Sequence, residues 1–231
     1  MAIERELKLA LPGDLPAARA DVLIAHLDRL PGAEARGERH LVNRYFDTPD
    51  LALASAKAAL RLRYVARDAH AGQWLQTLKS VGEARNGLHV RHEWEQAVQG
   101  EALELAPLIA ACDVPATAAL LRDEGAKVVA QFETNFVRRL WRYVAGDGTA
   151  VEIAFDRGEV AVQANGQRHT EPLIEVELEL LDAPDDGHDG QGERILQALA
   201  QDLRAVLPEL HSDNVSKAQR GYRLRQKVLG G

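Results

Sequence analysis

Along most of this chain apolar and polar residues alternate one for one, the repeat of a β-strand whose two faces meet different surroundings. The alternation predicts strands over 3–11, 41–47, 59–66, 73–80, 88–98, 132–144, 150–156, 159–164 and 173–181. Turn residues separate them, among them Gly146-Asp147-Gly148 and Asn165-Gly166, the latter the signal of a two-residue hairpin. Neighbouring strands should therefore run antiparallel. A 3.6-residue period replaces the alternation over 16–30, where Val22, Ile24, Leu27 and Leu30 approximate one stripe, and again over 101–111, 115–124 and 193–206. A last short helix is expected over Ser212–Arg225, starting at Ser212 or Asp213, and Asp185–Gly192, rich in Asp and Gly, reads as a mobile loop. Many antiparallel strands with few helices predict a mainly β, α+β domain, a barrel or sandwich with helices flanking it. No linker-like stretch or internal repeat divides the chain, which reads as one domain over 1–231.

Composition narrows the function classes. The chain has 231 residues, 46% hydrophobic and 27% charged, enough for a packed core and too ordinary for disorder or a coiled coil. No apolar run approaches the roughly 18 residues of a membrane span, and the charged start Met1-Ala2-Ile3-Glu4-Arg5-Glu6 does not resemble a signal peptide, so a cytoplasmic, non-membrane protein is expected. The single cysteine, Cys112, allows neither an intrachain disulfide nor a thiolate zinc site, and its apolar helical setting predicts a packing role. A formal charge of −7 argues against a general nucleic-acid binder.

The informative feature is what alternates with the apolar residues. In Ile3-Glu4-Arg5-Glu6-Leu7-Lys8-Leu9 one face carries Glu4, Glu6 and Lys8; Arg61 and Arg63, Thr77 and Lys79, and Glu175 and Glu177 form similar stripes. A solvated face explains any one such strand. Jointly, Arg-x-Arg on one strand and Glu-x-Glu on two others place like charges side by side, an arrangement that gains from a ligand of opposite sign. If the sheet closes with its apolar face outward against helices, the interior carries Lys8, Arg61, Arg63, Lys79, Arg91 and Arg138 opposed by Glu4, Glu6, Glu93, Glu95, Glu152, Asp156, Glu175 and Glu177. A polyphosphate with divalent cations suits both signs, since guanidinium and ammonium groups take phosphate oxygens while carboxylates hold a hard cation.

These segments resemble, in order, the signatures of the CYTH superfamily, the triphosphate tunnel metalloenzymes: Glu4-x-Glu6-x-Lys8, Tyr45-Phe46-Asp47-Thr48-Pro49, Leu60-Arg61-Leu62-Arg63, Thr77-Leu78-Lys79, Glu175-x-Glu177 and Ser216-Lys217-Ala218-x-Arg220-Gly221-Tyr222. The resemblance spans about 3–224. It implies an eight-stranded, closed antiparallel β tunnel with flanking helices. It also implies hydrolysis of a triphosphate; the segments 91–95 and 134–141 look most like the bacterial inorganic triphosphatase branch. The helical CHAD domain that follows the tunnel in many of those proteins is not expected here.

By matching position the resemblance assigns Lys8, Arg61, Arg63, Lys79, Arg138 and Lys217 to the triphosphate, with Arg91 added by its inward parity. It assigns Glu4, Glu6, Asp156, Glu175 and Glu177 to magnesium or manganese, two divalent cations in all. Lys8 is also a catalytic candidate, paired with Tyr45 to handle a proton of the attacking water; Tyr45 reads equally as a core residue. Glu93, Glu95 and Glu152 either complete a second cation site or neutralise the basic set, and Arg220 either reaches the tunnel or caps a helix. Glu179 is expected in solvent, and Trp74, Trp94 and Trp141 under helices. His89 and His92, three apart on a strand, face opposite sides and form no ligand pair.

Rival readings keep the site and change the substrate to thiamine triphosphate or to ATP with cyclisation, or make the chain a non-catalytic polyphosphate or nucleotide receptor. The acidic set argues against the receptor. Neither a Gly-x-x-x-x-Gly-Lys loop nor a Gly-x-Gly-x-x-Gly turn is present to support a nucleotide-binding α/β fold.

Overall fold

The computed structural model describes residues 2–66, 72–182 and 190–230. Eight long strands, β1 (Ala2–Ala10), β2 (Ala33–Asp47), β3 (Ala59–Ala66), β4 (Gly72–Arg85), β5 (Leu88–Val98), β6 (Val129–Val144), β7 (Ala150–Ala164) and β8 (Gln167–Asp182), pair antiparallel in the order β5-β4-β3-β2-β6-β7-β8-β1. β1 then pairs β5 through its first residues and closes the sheet into a barrel. Closure leaves the long strands without a free edge. Around it lie α1 (Ala17–Leu27), α2 (Ala52–Ser55), α3 (Leu105–Ala111), α4 (Pro115–Glu124), α5 (Gln191–Val206) and α6 (Lys217–Leu229), with a two-residue strand β9 (His211–Ser212) pairing the end of β1. Among the described residues no helix is long and apolar enough to cross a membrane.

The apolar face of the strands is the outer one. Leu7, Leu9, Trp141, Ile153, Phe155, Val176 and Leu178 pack under Leu23 and Leu27 of α1 and Leu196, Leu199 and Leu203 of α5. On the opposite wall Leu60, Leu78 and Trp94 meet Leu53, Leu108, Ala118 and Leu121 of α2, α3 and α4, with Cys112 buried among them. A third cluster is different: Tyr45, Phe132, Phe136, Val160 and Leu173, all on the inward parity, pack against Ala218 and Leu224. α6 therefore seals one end of the barrel from within.

Several boundaries differ from expectation. β7 is continuous where two strands were expected, because Arg157 and Gly158 keep the ladder to Ile174 and Leu173. β2 begins eight residues early; its first half is exposed and polar on both faces, so period two is invisible there, yet it pairs β6 across a bulge at Ala35/Gly37. The last helix starts at Ser216, whose side chain accepts from Gln219 N while Gln219 bonds back to Ser216 N, and it runs to Leu229. Ser212 belongs to β9 instead. The buried stripe of α1 is Ala20, Leu23 and Leu27, leaving Val22 exposed. Asn165 and Gly166 have φ of 53° and 74°, as the hairpin requires. Of the supposed mobile loop, residues 185–189 lie outside the described residues.

Candidate functional site

The charged faces converge inside the barrel on a cavity of about 1060 Å³ lined by Glu4, Glu6, Lys8, Tyr45, Arg61, Arg63, Lys79, Arg91, Arg138, Glu177 and Lys217. Asp156 and Glu175 lie just behind this surface, fully buried. All the side chains proposed for phosphate and cation thus share one interior. Register explains how like charges on a strand are tolerated: Glu4 faces Arg91, Lys8 faces Glu177, Lys79 faces Glu93 and Arg138 faces Asp156. These charges are neutralised by their neighbours, without any ligand. The exceptions are Asp156 opposite Glu175, Glu179 opposite both Glu6 and Glu152, Arg138 opposite Arg39 on its other side, and the pair Arg61 and Arg63, whose ladder partners are all uncharged.

The carboxylates separate into two groups. On one wall Glu4 bonds Lys79 Nζ at 2.7 Å and Arg91 Nε at 2.6 Å, and Glu6 lies 3.3 Å from Arg91. On the other, Asp156, Glu175 and Glu177 present ligand oxygens within 4.8 Å of one another. Lys217 Nζ sits among them, 2.7 Å from Asp156, 2.5 Å from Glu175 and 2.6 Å from Glu177. Arg138 adds bonds of 2.7 Å to Asp156 and 2.5 Å to Glu177. Burial alone would raise the Glu177 carboxyl, but Lys217, Arg138 and Lys8 outweigh it and hold it well below the usual range. Burial would likewise lower Lys217, yet Asp156, Glu175 and Glu177 keep it a firm ammonium.

Lys8 donates to Val215 O at 3.3 Å and lies 3.7 Å from Glu175 and 3.8 Å from Glu177. Tyr45 instead stacks on Phe132, with ring centroids 4.7 Å apart, and stands opposite Arg61 in the ladder. Glu93 lies 3.0 Å from Lys79 and 3.6 Å from Arg61, while Glu95 accepts from Thr77 at 2.8 Å and meets Arg61 at 3.4 Å. Both therefore serve the basic wall, and Glu152 lines the cavity nearby. Arg220 bonds Asp213 and lies 3.7 Å from Glu175, behind the cavity surface, while the helix is capped by Ser216.

Two expectations are corrected. Glu179 is in the cavity wall and half-buried, not in solvent; burial, then Glu4 and Glu6, push its carboxyl up to about 8. Trp94 and Trp141 pack under helices, but Trp74 is only half-buried and lies against Tyr64 and Arg44 on the outer wall. Asn43 was overlooked because charges were followed along the inward parity; it accepts from Arg63 and donates to Thr134. Of the residues already named, Thr77 accepts from Arg61, and His89 bonds Asp213 O at 3.0 Å.

The CYTH domain family matches residues 2–222. An inorganic triphosphatase from Haemophilus influenzae is 28% identical over 240 residues, covering 98% of this chain and 56% of that protein. The chain thus spans little more than half the length of that relative. Among solved structures, a putative adenylyl cyclase from Hippeastrum, described as having a dominant triphosphatase activity, superposes with a TM-score of 0.60 at 22% identity over 95% of each chain. A Pyrococcus horikoshii protein gives 0.56 at 18% identity over 95% of this chain and 98% of that one. These likenesses establish the fold.

Proposed function

The chain belongs to the CYTH family, and from that premise we propose that it hydrolyses inorganic triphosphate to diphosphate and phosphate inside the barrel. The observation that carries this reading is the opposition of a basic wall, Arg61, Arg63, Lys79 and Arg91, to the buried Asp156, Glu175 and Glu177 across one enclosed cavity. Along the interior carboxylates and basic groups nearly balance, since Glu179, pushed up to about 8, is mostly protonated at neutral pH, and the charge of a triphosphate would arrive uncompensated. A triphosphate therefore needs cations as company.

The donor set fits magnesium or manganese: all candidates are carboxylate oxygens, and the buried Oε2 of Glu175 accepts no hydrogen bond from the described residues, Arg220 standing 3.7 Å away. Asp156, Glu175 and Glu177 would hold one cation, and Glu4 and Glu6 a second. Bound there, such ions offset phosphate charge and acidify water. The protein's own groups do the rest. Arg61, Arg63, Lys79, Arg91 and Arg138 orient the phosphoryl oxygens by charge-assisted bonds and stabilise charge that builds during transfer. Lys8, which donates to the Val215 carbonyl and lines the cavity, would contact the reacting phosphate. Tyr45 is the candidate partner in proton handling; a Tyr45→Phe protein with unchanged turnover would assign it to packing on Phe132.

The reading is tested with purified protein stripped by chelator and resupplied with magnesium or manganese, following phosphate release from tripolyphosphate. Absence of release with either ion would sink it. A second reading lengthens the substrate: Val65, Leu75, Leu140 and Leu181 line the cavity and offer apolar surface to an organic group on a terminal phosphate. Comparing tripolyphosphate, thiamine triphosphate and ATP, with an assay for cyclic AMP, separates the two.

A further inference from the structure

We infer that Lys217 is a built-in counter-cation that reserves the Asp156, Glu175 and Glu177 cluster for a divalent cation arriving together with triphosphate. The inference rests on the polyphosphate reading above and concerns how that site is filled. Lys217 Nζ contacts all three carboxylates within 2.7 Å. The same three oxygens can serve the ammonium or a divalent ion, not both. Lys8, Arg138 and, 3.7 Å from Glu175, Arg220 also address this cluster, so four cations face three carboxylates and the centre carries no excess of negative charge.

With no excess of negative charge there, entry of a metal ion by itself is opposed. Such an ion would have to expel the Lys217 ammonium from carboxylates and leave it in a cavity wall already holding Lys8 and Arg138, an uncompensated buried charge. Triphosphate removes that obstacle. Lys217 lines the cavity while Asp156 and Glu175 lie behind it, so the ammonium stands between the lumen and the carboxylates. The Ser216–Gln219 capping box fixes its backbone at the first turn of α6, leaving the flexible four-carbon stem to move. The stem can turn toward a phosphate oxygen while the cation takes the carboxylates, including Glu175 Oε2, which accepts no hydrogen bond from the described residues. Each ligand lifts the cost of admitting the other, and the coupling is reciprocal.

The test measures manganese binding to protein without triphosphate, by the electron paramagnetic resonance signal of free Mn2+. Lys217→Gln should bind Mn2+ at least about tenfold more tightly than the unmodified chain. The same substitution should weaken tripolyphosphate binding and shrink the gain in Mn2+ affinity that imidotriphosphate produces. Equal or weaker Mn2+ binding by the variant overturns the inference. Should the variant not fold, lysine side-chain NMR of the unmodified protein decides. Magnesium alone should leave the Lys217 Nζ resonance in place and magnesium with imidotriphosphate should move it, whereas an equal shift with magnesium alone overturns the exchange. Neither readout needs turnover, so a chain that shows the exchange but releases no phosphate refutes only the hydrolase reading.

Discussion

Arg63 and Asn43 face each other in the β2–β3 ladder, and the guanidinium Nε donates to Asn43 Oδ1 at 2.6 Å. Asn43 is neutral, and among the described residues no carboxylate lies within ion-pair distance of Arg63, whereas Arg61, Lys79, Arg91, Arg138 and Lys217 each have one. Burial, then repulsion from Arg61 and Arg138, pulls Arg63 down to about 10, so it stays charged at neutral pH. A buried cation left to a neutral partner costs stability and is free to take an anion. Arg63→Gln should therefore melt no earlier than the parent while its triphosphate affinity falls about tenfold or more. Thermal melts and a tripolyphosphate titration check this; a lower melting temperature with unchanged affinity would refute it.

Gly221 brings α6 onto the ring of Phe132, where an added Cβ would lie 2.1 Å from ring carbons. That ring cannot retreat, since it stacks on Tyr45 and meets Tyr222 edge-on at 4.9 Å. Gly221→Ala should cost about 1–3 kcal/mol of stability, as overpacking does. It should also slow phosphate release, because Lys217 lies one turn away on the same helix. Urea unfolding and a rate assay read the two effects, and full stability with full rate would count against the packing argument.

How far the sequence led is clear from these two sites. Parity put Glu4, Glu6 and Lys8 on one face and Leu7 and Leu9 on the other, since a one-residue slip would bury the charges under α1 and α5; that the charged face is the inner one followed from the joint charge pattern over several strands. Parity says nothing about partners. That Arg63 meets Asn43 while Arg61 meets Glu95 depends on register between strands distant in sequence, and no local pattern carries it. Lys217 was legible only through resemblance: a helix start gives no hint that its first residue enters a carboxylate cluster formed by β7 and β8. Glu179 was misread because a strand end looks solvated until its neighbours are known, and here β1 lies alongside with Glu6 directly opposite in the ladder and Glu4 on the same face.

Asp47 ties the closing helix to the barrel. Its carboxylate accepts from Thr48 N at 2.7 Å, from Leu53 N and Ala54 N at 2.9 Å, and from the Tyr222 hydroxyl at 2.9 Å. Tyr222→Phe removes one charge-assisted bond and should cost about 1.5–3 kcal/mol. Asp47→Asn should cost more, since one of its oxygens becomes a donor facing donors. Equilibrium denaturation of both variants gives the ranking, and the reverse order would show that the Asp47 turn is held by other contacts.

His89 gives the fold a pH dependence of known sign. The ring is 4% exposed and its Nε2 must donate, because its partner, the Asp213 carbonyl, only accepts. Burial, then the Lys8 ammonium, lowers its pKa despite the opposing bond to Asp213 and the charge of Glu177, with Arg91 acting in the same direction as Lys8. The folded pKa therefore lies below the unfolded value of about 6.5. As pH falls through that value the unfolded chain takes up a proton that the folded chain refuses. Stability from neutral His89 is thus complete above about 6.5 and declines toward the folded pKa, with a slope of up to about 1.4 kcal/mol per pH unit. His89→Gln keeps a donor for the Asp213 carbonyl and removes the titration. Urea midpoints measured from about pH 7.5 to 5 should fall less steeply for this variant than for the parent, the carboxylates contributing to both. Parallel curves would mean that His89 titrates in the fold as it does in the open chain.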